Sequence, residues 1–410
     1  MNKKQDAFSE SQALIRAILR KMGRISKPRQ KFIEHILLLF MGLKCRYTFS
    51  NMSRFGTYSD RSYRFHFGRW FDFLSFNLAL SDSLDETDYV IAFDPTYIRK
   101  SGRFTAHVDT FYNGSAMKRL RGLELGVLAL IDRVRKTAFP LEAVQSHSPQ
   151  ALRQEGKSLV DHYAQIILDR KEQLRKKAKY LVVDGFFAKK KFILPILEKT
   201  QLHIVTMLRR DTHLQYLYQP KGPIQRGRPR KYDGKIDLKN PDLDKMEVVF
   251  EDENMRILSC NAFHRRLKLV LKIALVQWKN KNSPNKQYAV YAATDLELDP
   301  FTLYQMYTER FQIEFLIRDA KQHVGLQDCQ ARDETKLHFH FNTALTTIGI
   351  AKAIEYPKDG VGRFSMGNWK TYFHNRMMLN FFFYHFRIDQ KKQKNKTIMR
   401  KLLDIGRIAA

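Results

Sequence analysis

The order of short apolar runs between residues 87 and 208 limits this chain to very few folds. YVIAF (89–93), LELGVLALID (123–132) and residues 138–144 read as three successive strands, each rich in β-formers and bounded by polar turns. Residues 151–174 follow as a helix, with Leu159, Val160, Tyr163, Ile166 and Ile167 at the 3–4 spacing of one buried face. YLVV (180–183) is a fourth strand, residues 189–199 a further helix, and HIVTML (203–208) a fifth strand. A dinucleotide-binding half would alternate strand and helix from its start and carry a glycine fingerprint, and neither is present. Three strands, a helix, then strand, helix and strand is the order of a ribonuclease H-like α/β core.

Charge points to the partner. The chain has 410 residues, a formal net charge of +30 and a pI near 9.9. An excess of that size costs self-repulsion in the folded state and is ordinarily explained by a polyanion. The cations are spread along the whole length, which suits a long nucleic-acid track better than one anion pocket. Three cysteines, Cys45, Cys260 and Cys329, have no close pair. That excludes a CxxC zinc site and argues against a disulfide framework, so a reduced cytosolic setting is expected. The first residues carry scattered charges and no uninterrupted apolar stretch, unlike a signal peptide. The most apolar run, residues 36–43, is far too short to span a bilayer, so no membrane partner is expected.

The chain divides on this reading into five stretches. Residues 1–85 read mainly as helix, with Pro28 placed to start one through Phe32, Ile33, Ile36, Leu37, Leu38 and Phe40. Phe-rich residues 63–80, with Arg61, Arg64 and Arg69 in or beside them, extend this region. It fits a small helical domain that binds DNA ends, and equally a helical cap on the next domain. Residues 86–209 hold the first part of the core. Residues 210–287 break the pattern with a polar loop (219–240) and β-like runs at 246–250, 255–260 and 267–278, ending in the turn NKNSPN; they read as a β-rich insertion. Residues 288–350 return to the core with YAVYAAT and a helix. Residues 351–410 are helical, with an aromatic segment NFFFYHF (380–386) and a basic run at Lys391, Lys392, Lys394 and Lys396.

The acidic residues carry the chemistry. Asp94 follows YVIAF directly and Asp184 follows YLVV directly, on strands that are neighbours in the proposed core. Asp132 ends a strand too and rivals Asp94 on position alone. Each aspartate also suits a turn or cap, Asp94 before Pro95 and Asp184 before Gly185. A later helix, residues 304–321, reads YQMYTERFQIEFLIRDAK. Tyr307, Arg310, Glu314 and Lys321 are spaced +3, +4 and +7 and fall within an arc of roughly 60° at about 100° per residue. Met306, Ile313, Leu316, Ile317, Ala320 and Val324 cluster on the neighbouring arc, which predicts a buried stripe beside the polar line. The polar line alone also describes a solvated face with an Arg–Glu pair. Three carboxylates at one sheet edge, Asp94, Asp184 and Glu314, would give a hard-oxygen site for Mg²⁺ or Mn²⁺ that works on a phosphodiester, with two ions in the usual arrangement.

The pattern Y-x2-R-x3-E-x6-K at Tyr307, Arg310, Glu314 and Lys321 matches the signature of the IS-four family, DDE transposases of bacterial insertion sequences. TDLELDPFTLYQMYTERFQIEFLIRDAKQHVGLQDCQAR resembles that family's third-acid region, and FDPTYIRKSG and VVDGFFAKKKF resemble its first two acidic motifs. The resemblance covers about residues 87–350. It implies a ribonuclease H-like core with a β-rich insertion before the third acid. It implies Asp94, Asp184 and Glu314 as a catalytic triad binding Mg²⁺, with Mn²⁺ as a substitute. Arg310 and Lys321 would hold phosphates near the cleaved end, and Tyr307 would support the same strand. The implied partners are double-stranded DNA, as transposon ends and target, and a second copy in a synaptic homodimer. The implied setting is the bacterial cytoplasm, at the nucleoid. A ribonuclease H-like nuclease and an inactive DNA-binding derivative are the alternatives.

Weaker signals accompany these. Arg226, Arg228, Arg230 and Lys231 lie in RGRPRK, which contains the Arg-Gly-Arg-Pro core of a minor-groove hook. Lys189, Lys190 and Lys191 follow Asp184 and suit phosphate tracking or a solvated helix start. Family members often cut through a DNA hairpin, for which Trp278 is a candidate stacking platform, although a lone strand Trp is commonly core. His323 suits a helix end. His338 and His340 lack partners at metal-ligand spacing and are assigned no metal.

Overall fold

A computed structural model describes residues 6–84, 88–220, 229–279, 288–355, 364–388 and 393–408. Five helices come first: α1 (Ala7–Lys21), α2 (Lys27–Gly42), α3 (Phe49–Phe55), α4 (Asp60–Phe67) and α5 (Phe73–Ser81). Strands β1 (Tyr89–Arg99), β2 (Asp109–Asn113), β3 (Lys118–Asp132) and β4 (Thr137–Gln145) follow, then α6 (Pro149–Gln154), α7 (Leu159–Leu168) and α8 (Lys171–Leu174). Next are β5 (Tyr180–Val183), a single 3₁₀ turn (Gly185–Phe187), α9 (Lys190–Thr200) and β6 (His203–Leu208). The insertion supplies β7 (Leu214–Leu217), β8 (Tyr232–Lys235), β9 (Glu247–Glu251), β10 (Met255–His264) and β11 (Leu269–Trp278). The chain returns in β12 (Tyr288–Ala293) and continues as α10 (Pro300–Glu309), α11 (Gln312–His323), α12 (Glu334–Glu355), α13 (Met366–His385) and α14 (Gln393–Leu403).

Antiparallel β4–β3–β1 followed by parallel β5 and β6 is the ribonuclease H-like arrangement that the strand order predicts. The ladder does not stop there. β12 joins β6 antiparallel, and the path continues through β11, β10 and β7 to β8. The β-rich insertion is therefore an extension of the core sheet, and its β7 and β8 lie in or beside the stretch read as loop.

Alternation along the strands sorts the two faces. Val90 and Ala92 of β1, Val182 of β5 and Val205 of β6 join one core cluster with α1, α2 and α10–α13. Ile91, Phe93, Leu181, Val183 and Ile204 face the other way, onto α7 and α9. The predicted stripe of Met306, Ile313, Leu316, Ile317, Ala320 and Val324 is buried in the first cluster.

Three expectations need correction. The stretch 151–174 is not one helix: Gly156, with φ at 67°, ends α6, and Ser158 starts α7 with a reciprocal capping box to Asp161. The helix expected over 304–321 is two, because Phe311, Ile313 and Glu314 donate to residues three back, which tightens the chain at Arg310 and Phe311. The strand expected to end at Phe93 runs on to Arg99 because β3 stays paired with it throughout. The turn NKNSPN lies outside the described residues, as do Lys391 and Lys392.

The outer edge of β4 is satisfied by side chains. Asn342 of α12 accepts from the Ala143 N–H at 2.7 Å and donates to its carbonyl at 2.8 Å, Asn77 donates to the Leu141 carbonyl, and Lys352 to that of Ala138. These groups stand where a neighbouring strand would, so the edge is closed against another chain. Asn342→Leu leaves one buried donor and one buried acceptor unpaired. It is expected to lower unfolding free energy by about 2–4 kcal/mol in denaturant titration; an unchanged midpoint would mean that the helix is not closing this edge.

Candidate active site

The β1–β5 ladder runs Ile91–Leu181, Ala92–Val182, Phe93–Val183 and stops. Asp94 and Asp184 are the next residues on each strand, so both aspartates sit abreast. Asp94 shares the face of Val90 and Ala92, Asp184 that of Val182, and this is the face that α10 and α11 cover. Asp94 is still within β1, opposite Val127 of β3, so only the β5 side of the ladder opens at the carboxylate. Asp184 accepts from the Phe186 N–H at the start of the 3₁₀ turn, and Thr206 Oγ1 donates to its carbonyl at 3.2 Å. Gly185 lets this turn lie flat on β6: a Cβ there would stand 2.9 Å from the Met207 carbonyl oxygen.

The break between α10 and α11 does not scatter the four signature residues. Tyr307 Oη donates to Asp184 Oδ1 at 3.2 Å. Arg310 Nη2 donates to Glu314 Oε1 at 2.9 Å, and Nη1 stands 3.6 Å from Asp94 Oδ1. Lys321 Nζ donates to Thr96 Oγ1 at 2.8 Å, two residues beyond Asp94 on the same face of β1. Arg310 is buried, and its Nε has no hydrogen-bond partner. The Glu314 side chain is 39% exposed, at the mouth of the site.

Electrostatics follow from this crowding. Burial pushes the Asp94 carboxyl up to about 7; Glu314 and Asp184 push the same way, against Arg310 and Lys321. Burial lowers the Lys321 ammonium, with Asp94 opposing. Burial raises the Tyr307 phenol, and Asp184 adds to it. Burial alone would lower the Arg310 guanidinium, but Asp94 and its other neighbours outweigh it and hold it above its ordinary value. A carboxyl that resists ionisation beside two others marks a place that lacks positive charge. Oxygen donors only, with Arg310 spanning Asp94 and Glu314, fit a hard divalent cation such as Mg²⁺.

Residues 76–258 match the family described as DDE superfamily endonuclease. Over this span the chain is similar to the DDE superfamily. The matched span of the DDE domain holds Asp94 and Asp184 and ends before Glu314. The superfamily's chemistry is metal-dependent cleavage of DNA. A search of curated proteins returns no match.

The remaining predicted residues sit elsewhere. Asp132 pairs with Tyr89 at the opposite end of β1 and accepts from the N–H groups of Val134 and Arg135, with an ion pair to Arg135 at 2.8 Å. It is a turn residue, which removes the rivalry with Asp94. Trp278 ends β11, across β6 and β12 from β5, partly buried against the core. Arg230 and Lys231 precede β8 at the far end of the sheet, where Arg230 pairs with Asp233 at 2.5 Å. Arg226 and Arg228 lie outside the described residues. Lys189 stands 3.4 Å over the Phe186 ring, and Lys191 pairs with Asp161. His323 ends α11, and its carbonyl accepts from Tyr47 Oη. His338 faces Glu142, and His340 meets the Gly325 carbonyl. Thr96 was missed, although the two-residue period from Asp94 places it on the same face.

An acid whose pKa is higher folded than unfolded stabilises the fold fully below its unfolded pKa, and loses that contribution as pH rises through about 7. Asp94→Asn removes this burden. Without metal it is expected to be more stable than the parent chain by a margin that opens above about pH 4 and levels off near pH 7, at about 1–3 kcal/mol. Denaturant titrations across that range measure the margin, and one that is flat with pH would refute the strained ionisation of Asp94.

Proposed function

We propose that the chain is a transposase of the IS-four type, which binds the terminal inverted repeats of its mobile element, cuts DNA at their ends and joins the freed 3′-hydroxyl to target DNA. The observation that carries this reading is the pairing of Asp94 and Asp184 on one sheet face, with Glu314, Tyr307, Arg310 and Lys321 brought over them by α10 and α11. Asp94, Asp184 and Glu314 would hold Mg²⁺, or Mn²⁺ in its place, as two ions that activate water or a 3′-hydroxyl and neutralise the leaving oxygen. Tyr307 fixes the rotamer of Asp184 through its hydroxyl. Arg310 holds Asp94 and Glu314 together before DNA arrives and offers its guanidinium to a phosphate beside them. Lys321, anchored on Thr96, presents a second cation along the same strand.

Double-stranded DNA as element ends and target is the substrate on this reading, and a homodimer bridging two ends is the working assembly. The net charge of +30 supports the first. The setting proposed is the bacterial cytoplasm, at the nucleoid; no helix among the described residues is long and apolar enough to cross a membrane. The family's description as endonucleases favours a second reading, hydrolysis without joining.

Asp184→Asn and Glu314→Gln are each expected to reduce Mg²⁺-dependent cleavage and joining of labelled terminal repeats by more than about 100-fold, with end binding in gel shift retained. Cleaved ends without joined product in the parent chain would select the nuclease reading. Full activity in both variants would overturn the catalytic assignment.

A further inference from the structure

Away from the acids, four chain segments bring imidazoles and a carboxylate together. The connection between β1 and β2 carries His107, whose φ of 56° is rare for a side chain with a Cβ. Its neighbour Ala106 donates its N–H to the Arg332 carbonyl at 2.9 Å and accepts from Gln145 Nε2 at 2.6 Å. These two bonds fasten the connection to the end of β4 and to the stretch before α12. His147, just past β4, and Glu334, at the start of α12, therefore meet His107. One ligand atom from each of the three lies within 4.8 Å of the other two. His107 Nε2 is 3.4 Å from Glu334 Oε2. That is close to the ~3.3 Å that separates neighbouring ligands of a tetrahedral ion with bonds of about 2.0–2.1 Å.

A further imidazole backs them. His162 of α7 lies with its ring 4.6 Å from that of His147. Its Nε2 is buried and has no hydrogen-bond partner, while its ring is hydrogen-bonded to the Gln145 backbone. A ring held at one nitrogen by a carbonyl leaves the other as a lone pair, the tautomer that metal-binding histidines use. An orphaned buried nitrogen otherwise costs free energy with no return. The donor set of imidazoles and one carboxylate differs from the all-oxygen set at the acids. It suits zinc-class ions rather than Mg²⁺.

We propose that His107, His147 and Glu334, with His162 as the fourth donor, form a structural site for a transition-metal ion of the zinc class. The ion would tie the segment that follows the Asp94 and Thr96 strand to β4, α7 and α12. An unmetallated cluster, held by the His107–Glu334 contact and the stacked His107 and His147 rings, is the competing account.

The test uses the full chain, stripped with chelator and reloaded with Zn²⁺ in excess Mg²⁺, then gel-filtered and assayed for zinc. The parent chain and Asp184→Asn are both expected to retain about one zinc per chain. His147→Ala and Glu334→Gln are expected to lose retention by more than about tenfold. Co²⁺ in place of zinc is expected to give the visible absorption of a tetrahedral ion, absent in both cluster variants, and Zn²⁺ to raise the Tm of the parent chain but not theirs. Glu334 is more than half exposed, so its replacement by Gln tests the site without threatening the core. No zinc in the parent chain, zinc unchanged in the cluster variants, or zinc lost in Asp184→Asn would each overturn the proposal, the last by locating the ion at the acids.

Discussion

Three register pairs between β1 and β5 hold the rest of the site in place. Because the two strands are parallel and run in step, equal steps along each bring Asp94 and Asp184 level. Because side chains alternate, the same register that sends Phe93 and Val183 into the core under α7 and α9 sends both aspartates to the opposite face. A slip of one residue would bury a carboxylate under α9 and expose a phenylalanine. The two core clusters therefore enforce the geometry of the acids, and the acids need no rigidity of their own beyond the cap at Asp184 and the close approach of Gly185 to Met207.

Arg310 decides how much charge this pocket tolerates. It is buried and reaches two of the three acids. Without it, Asp94 would be left with Lys321, whose own ammonium is weakened by burial. The tight turn at Arg310 and Phe311 matters here. It swings Glu314 onto the second helix while leaving Tyr307 on the first, so that the phenol reaches Asp184 and the guanidinium spans Asp94 and Glu314. A straight helix would carry the same four residues but aim them along one line.

The core was legible in the sequence because strand order and period-two burial are written in consecutive residues. YVIAF, YLVV and HIVTML became β1, β5 and β6, and the aspartates beside the first two became neighbours. What escaped depended on partners far away in the chain. α12 buries polar residues such as Asn342, Thr343, Thr347 and Lys352 on several sides, so it shows no apolar stripe. Those residues read as surface until β4 is seen to need them. The break at Arg310 leaves no mark, since neither Gly nor Pro stands there. The β1 strand is expected to end at Phe93, with Asp94 before Pro95 suiting a turn, but its continuation depends on β3, a partner that stays paired with it to Arg99. The histidine cluster draws on positions 107, 147, 162 and 334, a spacing that no local pattern reveals.

The continuity of the sheet also orders events during folding. β12 pairs with β6, Val290 against Leu208, across the whole insertion. Contacts between residues so distant in sequence form late, after the loop between them has closed. A nascent chain can set Asp94 beside Asp184 once β6 has emerged, yet the helix that carries Glu314 onto β1, β3 and β4 is made only after the whole insertion. The last carboxylate thus arrives only when about three quarters of the protein has been made, and a chain terminated within the insertion keeps its first two acids but never completes the set.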